Sequence, residues 1–285
     1  MPLRPLQMVA NWPLVQVFEL RNQPLVQLIS SDDTMKENRF IPNRVYQFLL
    51  MIAATMALPG PFVLVLDDFI ETRAGQMVLI SLFGVVFSLA TYFINKHKGI
   101  PVRGYYTFQL HRLALSATIV LVLNAFVSLP FSTLFHADGD GHNDVWLWIG
   151  AIFIGPVVEE CMFRGVLLRG LLTRYKPVTA VLLSAILFGL IHVRLHQVVP
   201  ATLLGLLFGI VFTKSRSLIH TILLHMLSNT LIFCSVIFEL RESYLNINLY
   251  WRCGLMLIGV ALATFLTIYL VRALDKYGCK KINTR

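Results

Sequence analysis

Eight stretches of mostly apolar residues, at 45–65, 76–95, 113–135, 146–168, 177–193, 198–213, 217–238 and 253–271, leave this chain few ways to fold. A helix needs about 17 to 25 such residues to cross the hydrocarbon core of a bilayer, and only helices or closed barrels satisfy every backbone group there. The expected fold is therefore all-α, a polytopic membrane protein of about eight transmembrane helices within residues 45–271. Composition agrees, with 56% of the 285 residues hydrophobic and 14% charged. Residues 1–44 form an N-terminal segment and 272–285 a basic tail. The net charge of +9 does not point to nucleic acid, because the basic residues are spread through loops rather than interleaved with aromatic ones.

The loops supply a partly independent test of this partition. Nineteen of the 24 Lys and Arg residues fall in the N-terminal segment, the C-terminal tail and every second loop between spans. The alternate loops hold only Arg73, Arg194, Arg241 and Arg252, and Arg164 lies inside a span. Under the positive-inside rule this asymmetry puts both termini in the cytoplasm, which an even number of spans requires. No basic start, short apolar core and small-residue cleavage site occur together near the N-terminus, so no cleaved signal peptide is expected. Cys161, Cys234, Cys253 and Cys279 are scattered and indicate neither a disulfide framework nor a zinc cluster.

Two segments outside the spans stand out. Residues 11–32 repeat an NxPLVQ core at an 11-residue spacing, which fits an interfacial helical hairpin or an accidental repeat. The loop HADGDGHND, residues 136–144, lacks the spacing and closing glutamate of a calcium loop and reads as a solvated turn.

Ionisable groups at membrane depth are costly, and by default they face a cavity or a partner. In the fourth span, VVEECMFRG places Glu160 and Arg164 four residues apart, in the favourable order for an ion pair on one helix face. Glu159 is rotated about 100° away and must point elsewhere. The fifth span ends LFGLIHV, with Phe188 and His192 on one face, and the seventh contains HMLSN, with His225 and Asn229 on one face. At helical rise, Glu159 and His225 lie about 14 and 12 Å from the cytoplasmic ends of their spans, and His192 about 22 Å. Each residue taken singly has a structural alternative, such as helix-packing hydrogen bonds. Together they make a polar cluster hard to justify by stability alone.

These three motifs, EExxxR at Glu159, Glu160 and Arg164, FxxxH at Phe188 and His192, and HxxxN at His225 and Asn229, resemble the CAAX protease and bacteriocin-processing family. The resemblance implies a glutamic intramembrane endopeptidase with no cofactor and no metal. It implies Glu159 as the base that activates a water, His192 as its helper, and His225 with Asn229 as oxyanion donors. Glu160, Arg164 and Phe188 would support them. The short links between spans five, six and seven resemble the bacterial members, so the expected location is a bacterial inner membrane. The expected partners are the lipid bilayer and a membrane-anchored or amphipathic peptide substrate, with a groove opening to the cytoplasm or laterally to lipid.

Other readings compete. His192 and His196, at i and i+4, could belong to a metalloprotease, but HxxxH without HExxH is a weak signal. Cys161 has no histidine on its own helix placed to activate it. A transporter relay would show two corresponding halves, whereas spans one to three carry no charge or histidine. A non-proteolytic scaffold or bacteriocin-immunity protein remains the alternative outside enzymology. Oligomeric state is open, although Gly205, Gly209, Gly254, Gly259 and Ala263 permit close helix contacts.

Overall fold

The computed structural model describes residues 40–57, 72–97, 110–135, 145–192 and 194–280. These residues are all-α. In order they form α1 (Val45–Ala57), α2 (Arg73–His97) and α3, which runs through Leu110–Leu123, Asn124–Ser128 and Leu129–Ser132. Then come α4 (Val145–Leu172), α5 (Pro177–Leu190), α6 (Leu195–Ser215), α7 (Leu218–Ile237), the short α8 (Leu240–Leu245) and α9 (Leu249–Lys280). Among the described residues, six helices, α2, α3, α4, α6, α7 and α9, are long and apolar enough to cross a bilayer, while α1 and α5 are apolar but shorter. The chain is an integral, polytopic membrane protein. The NxPLVQ repeat and the 136–144 loop lie outside the described residues.

Several helix boundaries differ from the sequence expectation, and the two that bear on the polar cluster flank the link between the fifth and sixth helices. The fifth helix stops at Leu190 rather than 193, so His192 sits on the turn beyond it. The sixth begins at Leu195 rather than 198 and runs for 21 residues. Pro200 lies inside this helix, where it leaves the His196 carbonyl without the amide donor of the next turn. Arg194, in extended conformation just ahead of α6, makes the link short enough that α5 and α6 pack as an antiparallel hairpin.

Small residues set the spacing of that hairpin. A Cβ on Gly209 would lie 2.9 Å from Val181, and one on Gly205 would lie 3.0 Å from Phe188 and 3.3 Å from the Ala185 Cα. At the tight end, a Cβ on Gly189 would overlap Thr202 and approach the Val198 carbonyl to 2.7 Å. Gly259 packs against Phe126 in the same way, whereas a Cβ on Gly254 meets nothing within 4 Å. The glycines of α6 are thus used inside the monomer.

The two ends of the bundle are tied separately. At one end, Asn95 holds the residues before α1, accepting from the Ile41 amide at 2.9 Å and donating to its carbonyl at 2.7 Å. Arg169, in the last turn of α4, lies over the Phe40 ring at that end. At the other end, Arg241 donates to the Phe135 carbonyl and Arg252 to Thr133 Oγ1, each at 2.8 Å, so two cations sit where the C-terminus of α3 concentrates negative charge. Tyr244 donates to the Ala125 carbonyl nearby, and burial pushes its phenol above the ordinary value, keeping the proton on the donor.

Gly189→Ala should destabilise the protein by about 1–3 kcal/mol through overpacking of the α5–α6 hairpin. Gly254→Ala should be neutral or stabilising by up to about 1 kcal/mol from helix propensity. Thermal unfolding in one detergent, with both variants beside the parent, measures the contrast.

Candidate functional site

Glu160 is fully buried on α4 and is the centre of the cluster. Its Oε1 accepts from Arg164 Nη1 at 2.7 Å, the i to i+4 pair expected from the sequence. The same oxygen lies 3.0 Å from His225 Nδ1 on α7. Arg164 in turn donates Nη2 to the Gly205 carbonyl on α6 at 3.1 Å. The pair is therefore not satisfied on its own helix, as the sequence suggested. It is the junction through which α4, α6 and α7 meet.

Aromatic rings enclose this junction. The Arg164 guanidinium lies 4.3 Å from the Phe188 ring centre and 5.3 Å from that of Phe208. The His225 ring packs on the same two rings, with centroids 5.5 and 5.6 Å away. Faces of aromatic rings attract cations most strongly where water is excluded, so the rings contribute electrostatically as well as filling space.

Glu159 has a different environment. About a third of its side chain is accessible, and its Oε2 lies 4.0 Å from His225 Nε2, too far for a hydrogen bond. Oε2 is enclosed and has no hydrogen-bond partner in the protein. The imidazole of His225 thus spans the two neighbouring carboxylates, bonded to one and facing the other.

Asn229, one turn further along α7, donates Nδ2 to the Ala151 carbonyl at 2.6 Å. The local winding of α4 explains why that carbonyl is free. Residues Gly150–Ile154 are π-helical, and the Gly155 amide bonds to the Gly150 carbonyl. In such a turn the amide that would reach Ala151 belongs to residue 156, which is proline and has none. A second π-helical stretch, Cys161–Leu168, follows the glutamates directly. Wide turns of this kind occur disproportionately at functional sites.

His192 is joined to the cluster less directly. Its Nδ1 lies 2.9 Å from the Phe188 carbonyl, and its ring packs on Phe188 at 5.2 Å. Phe188 thus stands between His192 and His225. His196 is instead on the first turn of α6, its ring 6.3 Å from Phe135. Among the described residues, no group of three or more His, Cys, Asp and Glu side chains is arranged to hold a metal ion.

Sequence reasoning missed several partners. Gly205 and Phe208 are ordinary residues of an apolar helix, and Ala151 contributes only its carbonyl. Asn124 on α3 did carry a signal, as a polar residue in an apolar span. It donates to Ser228 at 3.0 Å and to the Val120 carbonyl at 3.0 Å, holding α3 beside the helix that presents His225 and Asn229.

Residues 141–231, which include all three motifs, match the family model described as type II CAAX prenyl endopeptidase Rce1-like. Neither the search of curated proteins nor that of solved structures gives a match. The matched segment covers α4 to α6 and α7 as far as Leu231, the helices that build the cluster, and family membership is consistent with metal-independent, glutamic-type intramembrane proteolysis. Over residues 141–231 the chain belongs to the CAAX protease and bacteriocin-processing family.

Proposed function

We propose that the protein is an intramembrane endopeptidase in which Glu159 activates water against a peptide bond of a membrane-associated substrate. The observation that carries this reading is the unequal treatment of two adjacent carboxylates: Glu160 is consumed by Arg164 and His225, while Glu159 keeps an enclosed oxygen with no partner in the protein. A carboxylate oxygen that no protein group occupies is free to take a hydrogen bond, and then a proton, from a water.

The chemistry follows from the atoms. Glu159 takes a proton from water as the water oxygen bonds to the scissile carbonyl carbon, and His192 helps to hold that water. The resulting oxyanion is received by Asn229 and His225. One Nδ2 hydrogen of Asn229 is fixed on the Ala151 carbonyl, which leaves the second for the oxyanion. With Glu160 accepting from Nδ1, His225 donates from Nε2 when its ring carries both protons. That form also balances charge, since two carboxylates then face one guanidinium and one imidazolium. On collapse, the carbon–nitrogen bond breaks and Glu159 returns its proton to the departing amine.

The same reading takes the eight apolar helices as eight spans around an intramembrane polar cavity, with residues 45–271 as the membrane domain. Both termini lie in the cytoplasm and the location is a bacterial inner membrane. The asymmetry of Lys and Arg between alternate loops supports the orientation. The substrate is a membrane-anchored or amphipathic polypeptide.

Purified protein in nanodiscs should cleave membrane-anchored peptides in the presence of a tight chelator, and Glu159→Gln and His225→Ala should abolish cleavage. Activity lost to chelator would return the metal mechanism, and cellular phenotypes unchanged in both variants would make the protein a scaffold. Asn229→Ala should lower kcat by roughly 10²–10³, the usual cost of one oxyanion donor. Glu160→Ala should cost about 3–5 kcal/mol of stability by stranding the buried Arg164 charge, and Glu160→Ala with Arg164→Met should recover part of it without recovering activity. Thermal unfolding and turnover measured on the same preparations separate the two effects.

A further inference from the structure

Burial changes abruptly at the catalytic cluster, in the same sense on three helices. On α4, every residue from Glu160 to Leu171 except Cys161 and Gly165 is buried, whereas between Val145 and Glu159 only Gly150, Ile152 and Pro156 are. On α6, every residue from Leu204 to Phe212 except Leu206 is buried, whereas from Leu195 to Leu203 only Pro200 and Ala201 are. On α7, the buried face runs from Ser217 to Ser228, and from Asn229 to Ile237 only Ser235 is buried. The chain direction of α4 and α6 and the reverse direction of α7 make these the same half of the bundle.

The character of the two halves differs as well. Beyond Glu160 toward Arg174 come Phe163, Val166, Leu167 and Leu168, all buried in one apolar core with Phe48 and Phe87. Two buried hydroxyls of α7 in that half, Ser217 and Thr221, are spent within the first turn of their own helix. At about 1.5 Å per residue, the packed section of α4 is on the order of 15 Å deep. Toward Arg194, by contrast, the polar groups continue outward from Glu159 through Asn229, the Ala151 carbonyl and His192, and Arg194 itself is exposed.

We infer that the site is entered only from the membrane face that carries Arg194, and that the half ending at Arg174 is a permanent plug. This rests on Glu159 being the reaction centre. Since the Arg174 loop is among the basic ones, the positive-inside rule makes the open face non-cytoplasmic. The substrate is then a polypeptide presented at the outer face of the membrane, such as a translocated segment or an extracytoplasmic loop beside a membrane anchor. A peptide offered from the cytoplasm does not reach Glu159. The opening is thus opposite to the cytoplasmic groove that the sequence allowed.

Thiol accessibility tests this without relying on catalysis. In full-length protein with Cys161, Cys234, Cys253 and Cys279 replaced by serine, single Arg174→Cys and Arg194→Cys variants mark the two faces. Glu159→Cys and, should that variant not fold, Ala151→Cys report on the site. A charged, membrane-impermeant methanethiosulfonate is applied to intact spheroplasts and to inverted vesicles. The expected result is modification of the site cysteine only from the side that labels Arg194→Cys, with none from the side that labels Arg174→Cys. Modification from the Arg174 side, from both sides or from neither would overturn the inference, as would labelling of Arg174→Cys and Arg194→Cys from the same side. Proteolysis persisting with a reversed pattern would remove the entry route alone. The expected pattern in a protein that cleaves nothing would remove the enzymatic reading alone.

Discussion

A guanidinium cannot be carried into the membrane unpaired, and the structure depends on how this one is compensated. Arg164 is fully buried, and its charge is met by Glu160 on its own helix, by the Gly205 carbonyl on α6 and by the faces of Phe188 and Phe208. None of these partners is sufficient alone. An i to i+4 pair in water contributes a few tenths of a kcal/mol, but stranding one member of a buried pair costs several. The requirement to satisfy one cation therefore draws three helices to fixed distances, and the same carboxylate then holds His225. Positioning of the His225 imidazole is a by-product of solving a solvation problem.

That solution also explains why the α5–α6 hairpin is so close. Arg164 reaches a backbone carbonyl of α6 only where no side chain intervenes, at Gly205, and Phe188 covers the guanidinium only if α5 lies against that same glycine. A side chain at 205 would push α5 outward and lift Phe188 from both Arg164 and His225. Close helix packing and charge compensation are one constraint here. In a bilayer this matters more than in water, because helix association has no hydrophobic drive of its own and relies on packing and hydrogen bonds.

Much of this was legible in the sequence, because the bilayer imposes length and polarity rules that a soluble fold does not. The apolar runs correspond to helices, and the ionisable residues that broke the pattern, Glu159, Glu160, Arg164 and His225, are those the structure gathers. What could not be read were interactions carried by the backbone or by apolar residues. The Gly205 carbonyl, the Ala151 carbonyl and the Phe208 ring have no sequence signature, since any span contains glycine, alanine and phenylalanine. The end of α5 was misplaced for a related reason: Ile191 and Val193 continue the apolar pattern, and only the packing of Gly189 on α6 shows where the turn begins. Asn124 was legible and passed over, as a polar residue without charge.

The pairing of Glu159 with Glu160 shows how little separates a partnered carboxylate from one left without a partner. The two side chains differ by one residue and one 100° rotation, yet one faces the Arg164 junction and the other faces Nε2 of the same histidine across 4.0 Å. A π-helical turn lies on either side of them, and each shifts the helix face beyond it relative to a straight α-helix. Without those shifts, the face that presents Ala151 to Asn229 and the face that presents Arg164 to Gly205 would not both be in register with α6 and α7. Pro156 pins the first of these turns by denying Ala151 a backbone donor, which passes the carbonyl to Asn229. The irregularity of α4 is thus what allows one helix to satisfy a buried cation at one level and to hold an unsatisfied carboxylate at the next.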